Sequence, residues 1–393
     1  MKAMEAIGRV GERSPATERF SRAPWTDFAR THVGALCGAF FFILLPLLGP
    51  FLIVEYLFGI YHPHPITVDG TYFPDGGFLF DLHVLWKAGH NIATGHAPYP
   101  FVYPAPAAIF MVPFGALPWK VAVVAFALVL IGAAILTLRI LGVRDWRCYA
   151  VALGALPGTS AVTLGAFSWL LALCAAAAWR YRDRRIVVAL AIASAVVSKL
   201  FLWPLVIWLV ATRRFRTATT TVVLGIVLVF GCWAMIGFDG MLDYPHHLGN
   251  VAGLEQARSY SPLALMRSVG MSSATARAAL FLLTVVAIAA IIVVARRPDG
   301  DRRAFVWSVG AALLLSPIVW VHYLVLLYVV IALYRPRLSI AWMIPLLYWF
   351  LPGQDSHRST AVILSAYAIT ALAFGATWYR RRGPATAPAL SPR

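Results

Sequence analysis

The sequence predicts an all-α, polytopic integral membrane protein of about twelve transmembrane helices. The mean hydropathy of the 393 residues is +0.76, 61% of them are hydrophobic and only 12% are charged, whereas a water-soluble domain carries about 25% charged residues. Apolar runs recur along most of the chain, as in proteins that cross a bilayer several times. The net charge of +17 comes mainly from short basic clusters between those runs, which is the positive-inside pattern and argues against a nucleic-acid partner.

Two polar tails and two longer polar segments set the predicted topology. Residues 1–33 are polar and basic and have no apolar core with a cleavage site, so they predict a cytoplasmic tail rather than a signal peptide. Residues 380–393 predict a second cytoplasmic tail, which leaves 34–379 as the transmembrane domain. The segments 59–118 and 238–273 carry few basic residues, and we expect both on the outer face of the cell membrane, with juxtamembrane helices.

The spans are predicted from the basic clusters at their inner ends. Residues 103–119 are apolar but hold four prolines, so we expect them along the outer membrane surface rather than across it. The stretch 186–212 joins two basic clusters, and two half-length helices meeting near Ser198 and Lys199 would fit it; a single tilted span is the alternative. The predicted spans are 34–58, 119–141, 148–163, 167–180, the two half-spans of 186–212, then 218–237, 274–296, 303–318, 320–334, 338–352 and 359–379.

A helix predicted over 78–94 is amphipathic and is expected to lie on the bilayer surface. Its polar face carries His83, Lys87 and His90, whereas Asp81 falls at the edge of the apolar face. Asp81 is either a helix-start residue stabilised by the backbone N–H groups or a base directed into a partly dry cleft, where desolvation raises its basicity.

Three further side chains are candidates for an outer-face site. Lys199 is the only lysine deep in an apolar run, and its ammonium either snorkels to the interface or binds an anion such as phosphate. His322 lies where a predicted span begins, and it is either structural or part of the site. Arg258, close to Tyr260 and Ser261, is either a solvated rim charge or a second anion ligand.

Several classes of function are disfavoured by the sequence. It contains no Walker motif, no HExxH motif and no Cys–His metal spacing, so we predict neither ATP-driven transport, nor a metal, nor a cofactor. Asp69, Asp75 and Asp81 are the one alternative set of carboxylates for a shared cation. Catalysis on a lipid-linked substrate at the outer face fits best. A transporter or flippase stays open as the alternative, although its polar residues would be expected at the midplane between repeated halves.

Three sequence motifs follow one another along the chain. The first is "FDLHVLWKAGHNIATGHAPY" with the following "YPAPAAIFMVPFGAL", with Asp81, Trp86, Ala88, Gly95, Pro98, Tyr99, Tyr103, Pro104 and Pro106. The second is Lys199 with Pro204, and the third is the run of Ser316, Pro317, Trp320, His322 and Tyr323. These three motifs, in this order, resemble the signature regions of glycosyltransferase family 87, and the resemblance covers roughly residues 78–352.

The resemblance implies a GT-C-like membrane enzyme that uses a polyprenyl-phosphate sugar, commonly the mannose derivative, as its donor. It further implies inverting transfer to a glycan or glycolipid acceptor on the extracytoplasmic face, with Asp81 as the base. On this interpretation Lys199, helped by Arg258, binds the donor phosphate and stabilises it as it leaves. His322 is the second candidate for the catalytic base.

The other predicted substrate-binding residues are aromatic. They are Tyr99, Tyr103, Trp320 and Tyr323. Tyr323, together with His322, is expected to orient the sugar or phosphate by hydrogen bonds. One departure concerns residues 165–168, where relatives often carry Gly-Gln-x-Asn and this chain reads Gly-Ala-Phe-Ser. The amide groups expected there are missing, which bears on the identity of the donor sugar or acceptor.

Overall fold

The computed structural model describes residues 35, 37–61, 66–68, 71–73, 77–351 and 358–378. The chain divides into a short unit, residues 1–44, and a main unit, residues 45–393. The described part of the short unit is helical, and all candidate site residues belong to the main unit. Both predicted tails, together with Asp69 and Asp75, lie outside the described residues.

Helices make up most of the described chain. The α-helices are α1 (Leu48–Leu57), α2 (Phe80–Ala93), α3 (Ala105–Gly115), α4 (Trp119–Ile140), α5 (Trp146–Gly154), α6 (Leu156–Thr163), α7 (Ser168–Arg180), α8 (Arg185–Lys199), α9 (Pro204–Ala211), α10 (Phe215–Met235), α11 (Tyr244–Glu255), α12 (Pro262–Ser268), α13 (Ser273–Ala295), α14 (Gly300–Leu315), α15 (Leu326–Tyr334), α16 (Ile340–Met343) and α17 (Thr360–Trp378). Short 3₁₀ helices cover Leu45–Leu47, Gln256–Arg258, Val321–Val325 and Ile344–Phe350.

Five helices of the described chain are long and apolar enough to cross a bilayer. They are Cys37–Leu57, Trp119–Ile140, Phe215–Met235, Ser273–Ala295 and Thr360–Thr377. A sixth is reached if α6 and α7, which meet at a bend of 117°, count as one span. The helical membrane architecture is therefore confirmed, but the predicted number of about twelve spans is not. Many of the predicted spans are broken or shorter helices, of 8 to 16 residues in α5 to α9 and α14.

One hairpin departs from the all-α prediction. Strand β1 (Ile66–Val68) pairs antiparallel with strand β2 (Thr71–Phe73), with Val68 opposite Thr71. The residues of both strands are mainly β-branched or aromatic, and an Asp-Gly pair stands between them in the sequence. That combination favours a tight hairpin. Its strands have three residues each, so they do not form an apolar run of the length that spans a membrane.

The chain breaks between α8 and α9, as the charge clusters predict. Helix α8 ends at Lys199, and Leu200 adopts a left-handed conformation with φ of 50°. Pro204 is the first residue of α9, where its missing N–H and fixed φ are well tolerated but would interrupt a continuing helix. The structure thus has two half-length helices here instead of a single tilted span, and Lys199 lies at their junction.

Helices α2 and α3 pack closely because two glycines let their backbones approach. A Cβ on Gly89 would overlap the carbonyl of Met111, and a Cβ on Gly115 would overlap the backbone at Gly89 and His90. Leu82, Leu85 and Ala88, on the apolar side of α2, are buried. Helix α3 has 11 residues and contains Pro113, so it is too short to cross a bilayer, which needs about 20 residues.

Candidate active site

The loop after α6 holds the start of α2 and thereby positions Asp81. The Leu82 amide donates a hydrogen bond of 3.0 Å to the Leu164 carbonyl. Gly165 has φ of +68°, and a Cβ there would overlap the side chain of Leu82. A glycine is therefore needed at the point where this loop meets α2. Asp81, one residue before Leu82, is placed by that close contact.

Asp81, Tyr103 and Lys199 form a buried polar cluster from three separate segments. The Tyr103 hydroxyl donates a hydrogen bond of 3.3 Å to Oδ2 of Asp81. Lys199 Nζ lies 3.9 Å from the same Oδ2, with side-chain exposures of 7% for Lys199 and 17% for Asp81. Lys199 Nζ also donates to the Tyr103 hydroxyl at 3.5 Å. The structure therefore brings together the carboxylate and the ammonium that the sequence singled out.

Burial changes the proton affinity of this cluster. It raises the pKa of the Asp81 carboxyl above its usual range, and this effect exceeds the lowering by the positive charge of Lys199 and by the Tyr103 hydrogen bond. Burial also raises the pKa of the Tyr103 phenol well above its usual range, and the adjacent Asp81 carboxylate adds to that rise. Tyr103 is thus a neutral donor, and Asp81 is a more basic carboxylate than an exposed one.

Two aromatic rings surround the Lys199 ammonium. Nζ lies 4.4 Å from the ring centroid of Tyr323 and 5.2 Å from that of Tyr103. These are cation–π distances, and such contacts are strongest where water is excluded. Phe201 packs edge-on against Tyr323 at 4.8 Å. The ammonium is therefore enclosed rather than extended into an interfacial water layer, which disfavours snorkelling.

His322 lies beside the Lys199 cluster and is buried, with 1% exposure. Its ring stacks on that of Tyr323 at 4.7 Å with an interplanar angle of 5°. Neither ring nitrogen has a hydrogen-bond partner among the described residues. Because buried polar atoms are almost always hydrogen-bonded, two unpaired nitrogens suit a ligand that supplies the missing partners.

Tyr99, a predicted site residue, supports Tyr103 together with two aromatic residues that sequence reasoning missed, Trp233 and Tyr244. The Tyr99 hydroxyl donates to the Tyr103 carbonyl at 3.2 Å, and its ring stacks on Trp233 at 4.8 Å and 13°. Tyr244 contacts both rings edge-on, and its hydroxyl donates to the Val102 carbonyl at 3.3 Å. Trp233 stands in an apolar run and Tyr244 in a predicted outer segment. In neither place does the sequence distinguish an aromatic residue of a functional site from one that only packs in the core.

The segment 165–168 also reaches the site, through an aromatic ring instead of an amide. The Phe167 ring lies 6.0 Å from that of Tyr103. Ser168 is buried, and its hydroxyl has no hydrogen-bond partner among the described residues. Where relatives often carry amide side chains, this chain thus places the apolar ring of Phe167 and the hydroxyl of Ser168.

Arg258 and Trp320 are placed differently from the other candidates. Arg258 pairs with Glu255 at 3.9 Å, and its side chain is 41% exposed. No contact within the described part of the chain joins it to Lys199 or Asp81, so the structure favours the rim charge. Trp320 is half-buried, and its carbonyl accepts a hydrogen bond from the Tyr323 amide at 3.0 Å. It shapes the turn that carries His322.

Among the described residues, no group of three or more His, Cys, Asp or Glu side chains is arranged to hold an ion. The carboxylate set of Asp69, Asp75 and Asp81 remains a prediction, since two of its members lie outside the described residues.

Comparison with known proteins identifies the family. The sequence profile of glycosyltransferase family 87 matches residues 101–317, more than half of the chain. This chain belongs to glycosyltransferase family 87. The matched range contains Tyr103 and Lys199 but neither Asp81 nor His322. Asp81 and His322 are linked to the matched range by their positions in space, since Asp81 contacts Tyr103 and Lys199, and His322 stacks on Tyr323 beside Lys199.

One curated relative of this family 87 glycosyltransferase is a polyprenol-phosphate-mannose-dependent α-(1-2)-phosphatidylinositol pentamannoside mannosyltransferase from Mycobacterium tuberculosis. It is 26% identical over 340 residues, which cover 78% of this chain and 74% of the relative. No solved structure matches the chain.

Proposed function

We propose that this family 87 glycosyltransferase transfers a sugar, mannose, from a polyprenyl-phosphate donor to a glycan or glycolipid acceptor. The curated relative, which is named for a polyprenol-phosphate-mannose donor, supports this donor class. The observation that carries the proposal is the buried cluster in which a basic carboxylate, Asp81, lies 3.9 Å from a buried ammonium, Lys199. The Asp81 carboxylate can accept the proton of an acceptor hydroxyl, and the Lys199 ammonium can bind the phosphate of the donor.

The proposed chemistry is a single inverting displacement. Asp81 removes the proton from an acceptor hydroxyl while that oxygen attacks the anomeric carbon from the face opposite the phosphate. The bond between the anomeric carbon and the phosphate oxygen breaks, and its electron pair stays on the polyprenyl phosphate. Lys199 binds the phosphate as its negative charge increases, which stabilises the transition state more than the ground state.

Neighbouring side chains position the reactants. Tyr103 donates to Asp81 and directs the carboxylate that must accept the proton. The two unpaired ring nitrogens of His322 bind a sugar hydroxyl or a phosphate oxygen, and Tyr323 keeps both His322 and Lys199 in place by ring contacts. Tyr99 and Trp320 act indirectly, through Tyr103 and through the turn at His322.

The proposed setting is the cell membrane, with the site facing outward. The chain crosses the membrane several times, and both tails are cytoplasmic. The basic clusters between the apolar runs support this orientation. The segments 59–118 and 238–273 then lie on the outer side, where a lipid-linked donor meets an extracytoplasmic acceptor.

A donor panel tests the proposal directly. The purified chain in lipid nanodiscs is given radiolabelled polyprenyl-phosphate mannose, polyprenyl-phosphate glucose, polyprenyl-phosphate arabinose or GDP-mannose, together with a glycolipid extract. We expect label to reach the glycolipid fraction from polyprenyl-phosphate mannose. Transfer from the nucleotide sugar alone would contradict the donor class, whereas preference for another polyprenyl-phosphate sugar would correct only the choice of mannose.

A further inference from the structure

A short hydrogen-bonded bridge joins the predicted outer segment 238–273 to the turn that leads into His322. The Val319 amide donates to Oγ of Ser259 at 2.8 Å, and the Tyr260 amide donates to the Val319 carbonyl at 2.8 Å. Both backbone polar groups of Val319 are thus bonded to residues far earlier in the chain. Ser259, Tyr260 and Val319 are all buried, so water does not compete for these hydrogen bonds.

The local sequence explains why a serine stands at 259. Its hydroxyl also accepts a hydrogen bond of 3.0 Å from the Ser261 amide, in the turn that a serine forms with the backbone two residues ahead. Ser261 in its turn caps α12, since its hydroxyl accepts from the Ala264 amide at 3.2 Å. With two amides bonded to it, the acceptor capacity of the Ser259 hydroxyl is filled. Alanine at this position would leave both buried amides without that acceptor.

The turn around Val319 has no regular structure of its own. Helix α14 ends at Leu315, and the following 3₁₀ helix begins only at Val321. Buried backbone groups outside helices and strands need other partners, and at Val319 the outer segment supplies them. The position of this turn is therefore set by residues 259–260 as well as by the helices on either side of it.

The same turn forms one wall around the Lys199 ammonium. The ring centroid of Tyr323 lies 4.4 Å from Lys199 Nζ, and the same ring stacks on that of His322 at 4.7 Å. The Tyr323 amide donates to the carbonyl of Trp320 at 3.0 Å, and Trp320 directly follows Val319 in the sequence. A shift of the backbone at Val319 therefore moves both rings relative to the ammonium.

The outer segment reaches the carboxylate side of the site at a second point. The Tyr244 hydroxyl donates to the Val102 carbonyl at 3.3 Å. Val102 precedes Tyr103, whose hydroxyl donates to Asp81. No residue of the described helix α11, which begins at Tyr244, is buried. The outer segment thus contacts the carboxylate side of the site through Tyr244 and the ammonium side through Ser259, and variants at these two residues can separate the contacts.

We propose that Ser259 is a positioning residue for sugar transfer. Its hydroxyl holds the turn at Val319, so that the rings of His322 and Tyr323 stay aligned with Lys199 when the donor phosphate binds. Ser259 itself contacts neither substrate. This role rests on the proposed function, and it gives the outer segment a part in binding of the donor phosphate.

Binding of polyprenyl phosphate, measured without sugar or acceptor, tests this role. The lipid is titrated against the full chain in nanodiscs, and thermal stability is measured in parallel. Ser259→Ala should weaken binding about three- to tenfold, the range of one neutral hydrogen bond. Ser272→Ala is the matched control, because the Ser272 hydroxyl caps α13 by accepting from the Thr275 amide at 3.1 Å. Its loss should lower stability but not affinity.

The outcomes of this titration separate the positioning role from the proposed function. A merely structural Ser259 would lower thermal stability, as Ser272 does, and leave affinity for polyprenyl phosphate at the wild-type value, which would overturn the positioning role alone. A wild-type chain that binds no polyprenyl phosphate would refute the proposed donor class, and the positioning role with it.

Tyr244→Phe tests whether Ser259 serves the phosphate side in particular. It removes the hydroxyl that bonds the Val102 carbonyl, so the rate of sugar transfer should fall while affinity for polyprenyl phosphate stays close to that of wild type. At saturating donor, Ser259→Ala should recover most of its rate, whereas Tyr244→Phe should not. Equal losses of affinity in the two variants would show a general loosening of the outer segment and overturn the role of Ser259.

Hydrogen exchange of the wild-type chain decides the question even if Ser259→Ala fails to fold. Added polyprenyl phosphate should slow amide exchange over residues 256–262 and 316–325 together, because the Tyr260 and Val319 amides belong to one bridge. Exchange over α13 should not change. Slower exchange over 316–325 alone would show that the turn binds the donor without help from the outer segment, which contradicts the proposal.

Discussion

The ammonium of Lys199 and the carboxylate of Asp81 lie 3.9 Å apart, at the end of α8 and in the first turn of α2. Both side chains are largely buried, with 7% exposure for Lys199 and 17% for Asp81. Among the described residues, the ion pair recorded for each of them is with the other. Removing one member of a buried pair leaves the other uncompensated, at a cost of about 3–5 kcal/mol. We therefore expect both the proposed chemistry and the stability of the site to depend on the two residues together.

Asp81→Asn should lower the rate of sugar transfer by about 10²- to 10⁴-fold, the contribution of a positioned general base. Binding of the polyprenyl-phosphate donor should remain, because the amide keeps the shape of the side chain and Lys199 is untouched. Transfer rate and donor affinity are measured separately. Lys87→Gln is the control, since Lys87 is exposed on the same helix and its loss should leave the rate unchanged. A rate within a few-fold of wild type for Asp81→Asn would move the role of base to His322.

Lys199→Gln should weaken binding of the donor phosphate by at least about tenfold, because a charge-assisted hydrogen bond is lost. It should also lower thermal stability, since the Asp81 carboxylate loses its partner. The double variant Asp81→Asn with Lys199→Gln should regain much of that stability while staying inactive. A double-mutant cycle of melting temperatures measures this coupling. Additive losses would show that the two groups do not interact.

The acid side of the pH–rate profile should report Asp81. Its pKa in the folded protein is raised by burial from the usual 3.8, and only the ionised carboxylate accepts a proton, so activity falls as the pH drops through that raised pKa. Lys199 lowers this pKa, so in a Lys199 variant with residual activity the acid limb should move to higher pH. The limb of a Tyr103→Phe variant should move the same way. An unmoved limb in both variants would exclude Asp81 as the titrating base.

The raised pKa of Asp81 also predicts how the free energy of unfolding depends on pH. Because the folded-state pKa of Asp81 lies above its unfolded value, burial of the neutral acid favours folding below the unfolded pKa. That contribution is lost as the pH rises through the folded pKa. Wild type should therefore lose stability relative to Asp81→Asn over this interval, which denaturation at a series of pH values can measure.

Gly165→Ala should reduce transfer by shifting the start of α2. The added Cβ meets Leu82 directly, and a left-handed conformation costs a non-glycine residue about 1–2 kcal/mol. Gly142→Ala is the matched control, because Gly142 has φ of +86° but open space around its Cβ position. Both variants should lose comparable stability from backbone strain, whereas only Gly165→Ala should lose activity beyond that. Equal activity of the two variants would argue against positioning of Asp81 by this loop.

Sidedness can be checked with cysteines placed on exposed residues. Lys87→Cys, in the predicted outer segment, should react with an impermeant maleimide in intact cells. Arg184→Cys, in a predicted inner cluster, should react only after the membrane is opened. Both positions are exposed in the structure, so burial does not protect either one, and the parent chain with its native cysteines gives the background. The reverse pattern would invert the topology and place the site on the cytoplasmic side.

Local signals in the sequence predicted the long apolar helices and one of the breaks between helices. Apolar run length and basic clusters located α4, α10, α13 and α17, and the conflict between charge and length over 186–212 predicted the break at Lys199. The number of spans did not follow, because apolar composition is shared by helices that cross a bilayer and by shorter ones that pack inside the protein. The hairpin Ile66–Phe73 was missed because its strands are only three residues each.

The proximity of three candidate residues could be predicted because burying a polar side chain in an apolar stretch costs free energy. Asp81, Lys199 and His322 are polar side chains in apolar stretches, and the structure brings them together. Arg258 lies in a polar segment, where a charge needs no explanation, and the sequence left it open as either a rim charge or an anion ligand; in the structure it pairs with Glu255 and is 41% exposed. Trp233 shows the converse, because a buried aromatic residue looks the same whether it packs a core or supports a site.

The break between α8 and α9 has an electrical consequence for a lipid-linked anion. The carbonyl groups at the end of α8 give its last residue, Lys199, a negative backbone potential, while the first turn of α9, at Pro204, presents the positive end of another helix dipole. A continuous helix would bury both ends in its own hydrogen bonds. By breaking here, the backbone itself favours a cation at one side of the gap and an anion at the other. The negative end of one helix dipole and the positive end of another are thus separated by four residues in an otherwise apolar stretch.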